Sequence, residues 1–302
     1  MAYHVPVLAG ESVGFLDLRP GGVYVDATFG GGGHSRFILE QAGSQDLRLF
    51  GFDQDEAARA NALEDSRFTF VAANFRHLSN FLRLHGVARI DGLLADLGVS
   101  SHQFDEAERG FSYRFDAPLD MRMGTGGGTD RTAADVVNHY SAEDLQKVLG
   151  EYGEVRNARS LALAIAEARE QVPIATIQDF LQLVNPWVRG SRPRYLAQVF
   201  QALRIEVNDE IGALTDLLAQ ATDLLIPTHG RLSVISYHSL EDRITKNFLK
   251  TGKPDGIVTK DFYGNIDRPY KLLTKKPVLP SAEEIQHNPR ARSAKLRAGL
   301  RR

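Results

Sequence analysis

Four glycines follow an aspartate at the end of a β-rich run, in Asp26-Ala27-Thr28-Phe29-Gly30-Gly31-Gly32-Gly33-His34-Ser35. Glycines at such a place let the backbone approach a ligand and take positive φ, and the helix that follows presents unpaired N–H groups. A glycine-rich turn alone is also a common structural device. The next β-rich run ends in Asp53, about twenty residues on, where a carboxylate can accept both hydroxyls of a ribose. Together the two signals point to a cofactor that contains adenosine. A dinucleotide would bring a pyrophosphate beside Asp26, which like charge disfavours, and the Walker pattern that cradles ATP or GTP is absent. S-adenosyl-L-methionine carries no phosphate, and its sulfonium and ammonium are cationic, so carboxylates at Asp26 and Asp53 suit it. A third aspartate, Asp96, ends a later β-rich run in Asp96-Leu97-Gly98-Val99-Ser100-Ser101-His102-Gln103. Residues at the carboxyl ends of strands line the ligand crevice of an open α/β sheet, so Asp96 and Gln103 are expected to face this cofactor. Equally, Asp96 at this spacing can simply cap the following turn.

These residues need a scaffold, and the first hundred positions supply its pattern. β-rich runs at 23–28, 48–53, 68–71 and 90–97 alternate with amphipathic segments at 35–42, 55–63 and 76–85. That alternation predicts a parallel, doubly wound α/β sheet with right-handed crossovers, the Rossmann-like arrangement. After a glycine-rich hinge at 124–128 the pattern turns helical, with segments at 141–149, 155–171, 176–184 and 195–225, the last as one helix or two. Strand character returns at 231–236, then a helix at 239–249 and a strand candidate at 270–278. The expected organisation is therefore a sheet domain over 1–128 and 206–302, interrupted by an all-helical insertion over 129–205.

Composition sets the outer limits. The 302 residues are 43% hydrophobic and 25% charged, the ordinary globular range, and contain no cysteine, which removes disulfides, thiolate metal sites and cysteine nucleophiles. No run approaches the roughly 18 apolar residues of a membrane span, and Met1–Ser12 lacks the signature of a secretory signal. A soluble cytoplasmic protein without membrane contact is expected. The net charge of −2 hides an asymmetry: from Arg268 to Arg302 ten Lys or Arg face two acids, leaving −10 on the rest. Such an end reads either as a polyanion-binding tail or as a solvated terminus.

Six segments, taken together, resemble the bacterial RsmH/MraW family: His4–Leu8, Asp26–Ser35, Asp96–Gln103, Gly110–Ser112 with Pro118–Met123, Gln198–Glu210, and Ser236–Arg243. The ending Asn288–Arg297 is similar as well. The resemblance implies a class I methyltransferase sheet with an inserted helical substrate domain. It further implies methyl transfer from S-adenosylmethionine to the exocyclic N4 of a cytidine in the decoding region of 16S rRNA, within the small ribosomal subunit or a late assembly intermediate. By motif it places cofactor contacts at Gly32, Gly33, His34, Asp53, Phe75, Asp96 and Gln103. Tyr237 departs from the pattern, standing where the family often has Phe, and Gly31 occupies a variable loop position.

The absent cysteines bear on this chemistry, because methylation at a cytosine ring carbon needs a covalent thiolate adduct and methylation of the amine does not. The amine's lone pair is delocalised into the ring, so an acceptor must hold its N–H bonds and align it. The Asp/Asn-Pro-Pro-aromatic turn that many amino-methyltransferases use for this is missing after Asp96. Candidates for the role are Asp96, Ser100, Asp120 and His238. Asp120 has an alternative as a loop anchor through Arg122, and His238 as a core or capping histidine. No metal ligand pattern is apparent, and none is expected. Arg290, Arg292, Lys295, Arg297, Arg301 and Arg302 would neutralise RNA phosphates, and Tyr113, Phe115 and Trp187 would stack on bases, Trp187 being equally suited to a helical core. Two other functions stay open: a nucleotide-dependent oxidoreductase, and an RNA-binding factor that does not turn over. Monomer and homodimer are not distinguished.

Overall fold

The computed structural model describes residues 6–98, 106–124, 131–258, 260, 262–264 and 268–302. The chain forms two compact units, residues 1–98 with 212–302, and residues 99–211.

The first unit is a seven-stranded sheet: β1 (Val23–Asp26), β2 (Arg48–Asp53), β3 (Phe68–Ala72), β4 (Gly92–Asp96), β5 (Arg231–Ser236), β6 (Tyr270–Leu272) and β7 (Lys295–Arg301). The strand order is β3-β2-β1-β4-β5-β7-β6. β1 to β5 are parallel, with Asp26 level with Gly51 and Leu94, and Asp96 level with Ile235. β7 runs antiparallel between β5 and β6. This is the Rossmann-like sheet expected of the alternating pattern. The central strands are buried on both faces, which explains their near-continuous apolar runs: Tyr24, Val25, Phe50, Phe52, Leu93, Leu94, Val234 and Ile235 are at most 1% exposed. Helices α1 (Ala9–Gly14), α2 (Gly33–Ala42) and α3 (Leu78–Leu84) belong to this unit.

Two local expectations are replaced. Residues 55–63 form no full α-helix but a 3-10 helix, Glu56–Asn61, opened by the Asp55 carboxylate accepting from the Ala57 N–H. The basic end is not a tail. Six of its residues pair with β5, Arg297 is 7% exposed, and its guanidinium is bound to Asp242 at 2.6 and 3.2 Å. Arg301 donates to the carbonyls of Thr222 and Pro269. Arg297 and Arg301 therefore make contacts within the fold, Arg297 with its charge met by Asp242. Alternation of basic and small apolar residues over 295–301 is a strand pattern that charge counting overlooks.

The second unit is helical, with α4 (Ala133–His139), α5 (Ala142–Lys147), α6 (Ala158–Arg169), α7 (Ile177–Val184) and α8 (Arg192–Asn208). α8 stops at Asp209, whose φ of 46° is left-handed, and α9 (Glu210–Leu224) follows, so the long segment is two helices. The core of this unit begins earlier in the chain than the glycine hinge. Phe111, Ala117, Leu119, Met121 and Met123 are buried in one cluster with Val136, Leu161, Phe180 and Leu203. Of the hinge at 124–128, positions 125–128 lie outside the described residues. Gly110 makes the entry to this cluster possible: its φ is +75°, and a Cβ there would stand 2.7 Å from the Pro118 carbonyl oxygen. Trp187 and Tyr113 pack against the same core, Tyr113 edge-on to Phe200, while Phe115 is half exposed.

Candidate active site

Three aspartates close three neighbouring strands. Asp53 ends β2, Asp26 ends β1 and Asp96 ends β4, and these strands lie side by side in the order β2-β1-β4. Parallel pairing brings all three carboxylates to one edge of the sheet, where an open α/β fold forms its ligand crevice.

Each is held differently. Asp26 is 0% exposed; it accepts from the Ser35 hydroxyl at 2.8 Å and the Thr28 N–H at 3.2 Å, tying the first turn of α2 to the end of β1. Burial raises its pKa, against the opposing pull of His34 and these hydrogen bonds. Asp53 accepts from the N–H of Gly30 at 2.7 Å and of Asp55 at 2.8 Å, so it fixes the glycine loop from the far side. Burial pushes its pKa up to about 6. Asp96 keeps about a fifth of its side chain exposed. Its N–H donates to Thr28 Oγ1 at 2.6 Å, Oδ1 accepts from the Tyr237 hydroxyl at 2.8 Å, and Oδ2 lies 3.8 Å from His34 Nδ1. Burial raises its pKa to about 6, with His34 and the Tyr237 hydrogen bond pulling the other way.

His34, in the first turn of α2, is buried, with Nε2 3.0 Å from the carbonyl of Val7. A carbonyl only accepts, so Nε2 carries a proton and Nδ1 is the atom turned toward Asp96. The N-cap of α2 is Gly32, whose φ is +74° and which provides no side-chain cap; a Cβ there would meet the Phe29 ring at 2.8 Å. At Gly33 a Cβ would crowd Pro6 at 3.2 Å. The fold itself thus requires glycine at 32, and the result is a helix start whose N–H groups no capping side chain closes. Phe75, partly buried, opens the 3-10 helix Phe75–His77 just beyond β3.

Asp26, Gly32, Gly33, His34, Asp53, Phe75 and Asp96 therefore all stand in the first unit, at or just beyond the carboxyl ends of strands. Ser100 and Gln103 lie outside the described residues. Asp120 belongs to the helical unit, where its two oxygens hold Arg122 at 2.9 and 2.7 Å. Burial pushes its pKa up, but the Arg122 hydrogen bonds more than offset this and the carboxyl titrates below its ordinary value. His238 is the N-cap of α10 (Ser239–Thr251); its Nδ1 accepts from the Glu241 N–H at 3.4 Å, and Glu241 Oε2 accepts from the N–H of Tyr237 and His238. Both sets of contacts match the structural alternatives open in sequence, and His238 Nε2, 3.1 Å from Glu241 Oε1, is left without a hydrogen bond among the described residues. One contact escaped the sequence reading, which noted Tyr237 only as a departure from the family pattern: its hydroxyl reaches Asp96, 141 residues away in the chain.

The described residues contain no helix long and apolar enough to cross a membrane. A sheet with carboxylates at these strand ends fits an adenosine-bearing cation, and comparison with known sequences decides which family built it. The model of the MraW methylase family matches residues 1–301. The chain belongs to that family. This methylase is 55% identical over 297 residues to the ribosomal RNA small subunit methyltransferase H of Parabacteroides distasonis, covering 98% of this chain and 96% of that one. It is 54% identical over 301 residues to the protein of the same name from Phocaeicola vulgatus, covering 99% and 98%. Among solved structures, TrmN from Thermus thermophilus is similar at a TM-score of 0.43 and 14% identity, over 98% of this chain and 48% of that one.

Proposed function

We propose that this methylase transfers a methyl group from S-adenosylmethionine to the exocyclic N4 of a cytidine in the decoding region of 16S rRNA, presented in the small ribosomal subunit or a late assembly intermediate. The observation that carries the reading is the row of carboxylates Asp53, Asp26 and Asp96 on adjacent strand ends, in a chain whose full length matches the MraW methylase family. Buried carboxylates with raised pKa values are costly without a cationic partner, so the site favours a ligand that brings positive charge.

S-adenosylmethionine, when bound, supplies an electrophilic methyl group on a cationic sulfur. The residues supply position. Asp53 is assigned to the ribose hydroxyls, the start of α2 with Gly32, Gly33 and His34 to the amino-acid end, Phe75 to the adenine face, and Gln103 to a further polar contact. Asp26 acts from beneath the loop through its field and its hold on Ser35. At the acceptor amine one new N–C bond would form as the methyl group's bond to sulfur breaks, the sulfur leaving as a neutral thioether and the nitrogen's surplus proton passing to water. Asp96, whose side chain is about a fifth exposed at the end of β4, is assigned to accept the amine's hydrogen bond, with Ser100 as a second acceptor. Proximity and alignment of this kind supply several kcal/mol of such a barrier. The helical unit is assigned to substrate recognition.

The test is methyl transfer from labelled S-adenosylmethionine to small subunits isolated from cells lacking this gene, followed by nuclease digestion and mass spectrometry. N4-methylcytidine in 16S rRNA is the expected product. Label at another base, or tight cofactor binding without transfer to subunits or their assembly intermediates, overturns the proposal.

A further inference from the structure

One contact at the site belongs to no element of the glycine loop. Tyr237 follows the last residue of β5, and β5 lies beside β4, so its ring reaches across the strand ends to Asp96. The hydroxyl donates to Oδ1 at 2.8 Å. Three features hold the ring there. Its own N–H donates to Glu241 Oε2 at 2.9 Å, which is part of the cap of α10. Its side chain packs on the apolar cluster of Val7, Leu8, Ile235 and Leu296. Gly98, whose φ of +108° suits glycine, passes alongside the ring, with the position of a Cβ at van der Waals distance, 3.4 Å, from it.

Asp96 is thereby gripped at two points, its N–H by Thr28 Oγ1 and its Oδ1 by Tyr237. The carboxylate cannot rotate freely about χ2, and Oδ2 is the oxygen left on the His34 side. A phenol is a donor here, so the hydrogen bond also favours the charged, accepting form of the carboxylate.

We propose that Tyr237 is a positioning residue for Asp96, orienting its carboxylate and keeping it ionised for the reaction. This rests on the assignment of Asp96 to the active site. Groups that face Asp96 are His34 from α2, Asp26 from β1, Glu241 from α10 and Tyr237 itself; Asp26 and Glu241 disfavour its charge, while His34 and Tyr237 favour it. Glu241 and Glu284 also face Tyr237. Among these, Tyr237 can lose its donor with its ring intact.

The experiment compares wild type, Tyr237→Phe and Asp96→Asn, with fluorotyrosine incorporated at 237 as a fourth form. The pH profile of kcat/KM is measured for each, and the carbon-13 shift of the Asp96 carboxyl is titrated in ligand-free protein, assigned through Asp96→Asn. Tyr237→Phe is expected to move the Asp96 titration and the acid limb of the profile upward by about one pH unit, the size of one charge-assisted hydrogen bond. Activity then falls up to about tenfold near pH 6 and little at pH 8.5. Fluorotyrosine, a stronger donor, is expected to move both downward. A purely structural role leaves both midpoints unchanged while lowering the melting temperature, and that result overturns the proposal. An Asp96→Asn enzyme with wild-type turnover instead removes Asp96 from the site, and with it the need for Tyr237 to position anything.

Discussion

Replacing Arg297 by leucine strands a buried carboxylate. The Arg297 and Asp242 side chains are 8% and 14% exposed, and they meet through two hydrogen bonds at 2.6 and 3.2 Å. Removing one partner of such a pair typically costs about 3–5 kcal/mol, because the remaining charge stays buried without compensation. Lys295 Nζ lies 3.8 Å from Asp242 Oδ2 and offsets part of that loss, so the lower end, about 3 kcal/mol, is expected. At about 2–4 °C per kcal/mol for a unit of this size, the melting temperature drops by about 6–12 °C. Urea unfolding of Arg297→Leu, Asp242→Asn and the double variant gives the coupling directly: each single change is expected to cost more than its share, and the double variant to recover about 2 kcal/mol. The basic-tail expectation makes the opposite forecast, with unchanged stability and weaker, less salt-dependent rRNA binding. A loss below 1 kcal/mol for Arg297→Leu with an unchanged m-value would refute the reasoning, since the pair would then contribute no more than an exposed one.

Four other outcomes are expected. S-adenosylmethionine affinity, measured by calorimetry, rises as pH goes from 5 to 7, by about tenfold for each carboxylate that ionises, because Asp53 and Asp96 both titrate near 6 and only their charged forms attract a cation. In the ligand-free protein the same shift acts on stability with the opposite sign: the folded state binds more protons than the unfolded chain between about pH 4 and 6, so these two groups lower stability as pH rises through that window. A melting temperature that climbs steadily from pH 4 to 6.5 without ligand would count against the burial of both groups. Gly110→Ala, at φ +75° with the Pro118 oxygen 2.7 Å from the new Cβ, is expected to destabilise the helical unit by about 2–4 kcal/mol, read by far-UV circular dichroism during thermal melting. His238→Asn preserves an N-cap acceptor for α10 and is expected to keep stability within about 1 kcal/mol and methyl transfer within a few-fold; loss of turnover beyond a hundredfold in the folded variant assigns the ring to chemistry instead.

Family membership and sheet architecture were legible without coordinates because both are written locally. β2 and β5 fall at 48–53 and 231–236, where the apolar runs end in turn residues, and strands buried on both faces need such runs. Asp26, Asp53 and Asp96 stood out for the same reason, since each is the polar residue that terminates a run, and parallel pairing then brings those termini to one edge. The second break in 195–225 was visible only as an ambiguity, resolved by the left-handed Asp209.

Tertiary structure decided what depends on distant partners. The charges of 295–301 read as a tail until β5 supplies the neighbouring strand and Asp242 the counter-charge, 55 residues before Arg297. The helical core reaches back to Phe111, and there the Leu119 N–H donates to the Ala175 carbonyl at 3.0 Å, a backbone bond that no periodicity announces. Asp120 and His238 have residue types fit for catalysis, and only the tertiary structure gives their hydrogen-bond partners, Arg122 for Asp120 and the Glu241 N–H for His238. Spacing reveals which residues can reach a strand end or a helix face, because those periods are properties of the backbone. It does not reveal which side chains meet across the sheet, as Tyr237 meets Asp96, because that depends on the order in which strands far apart in the chain come to lie side by side.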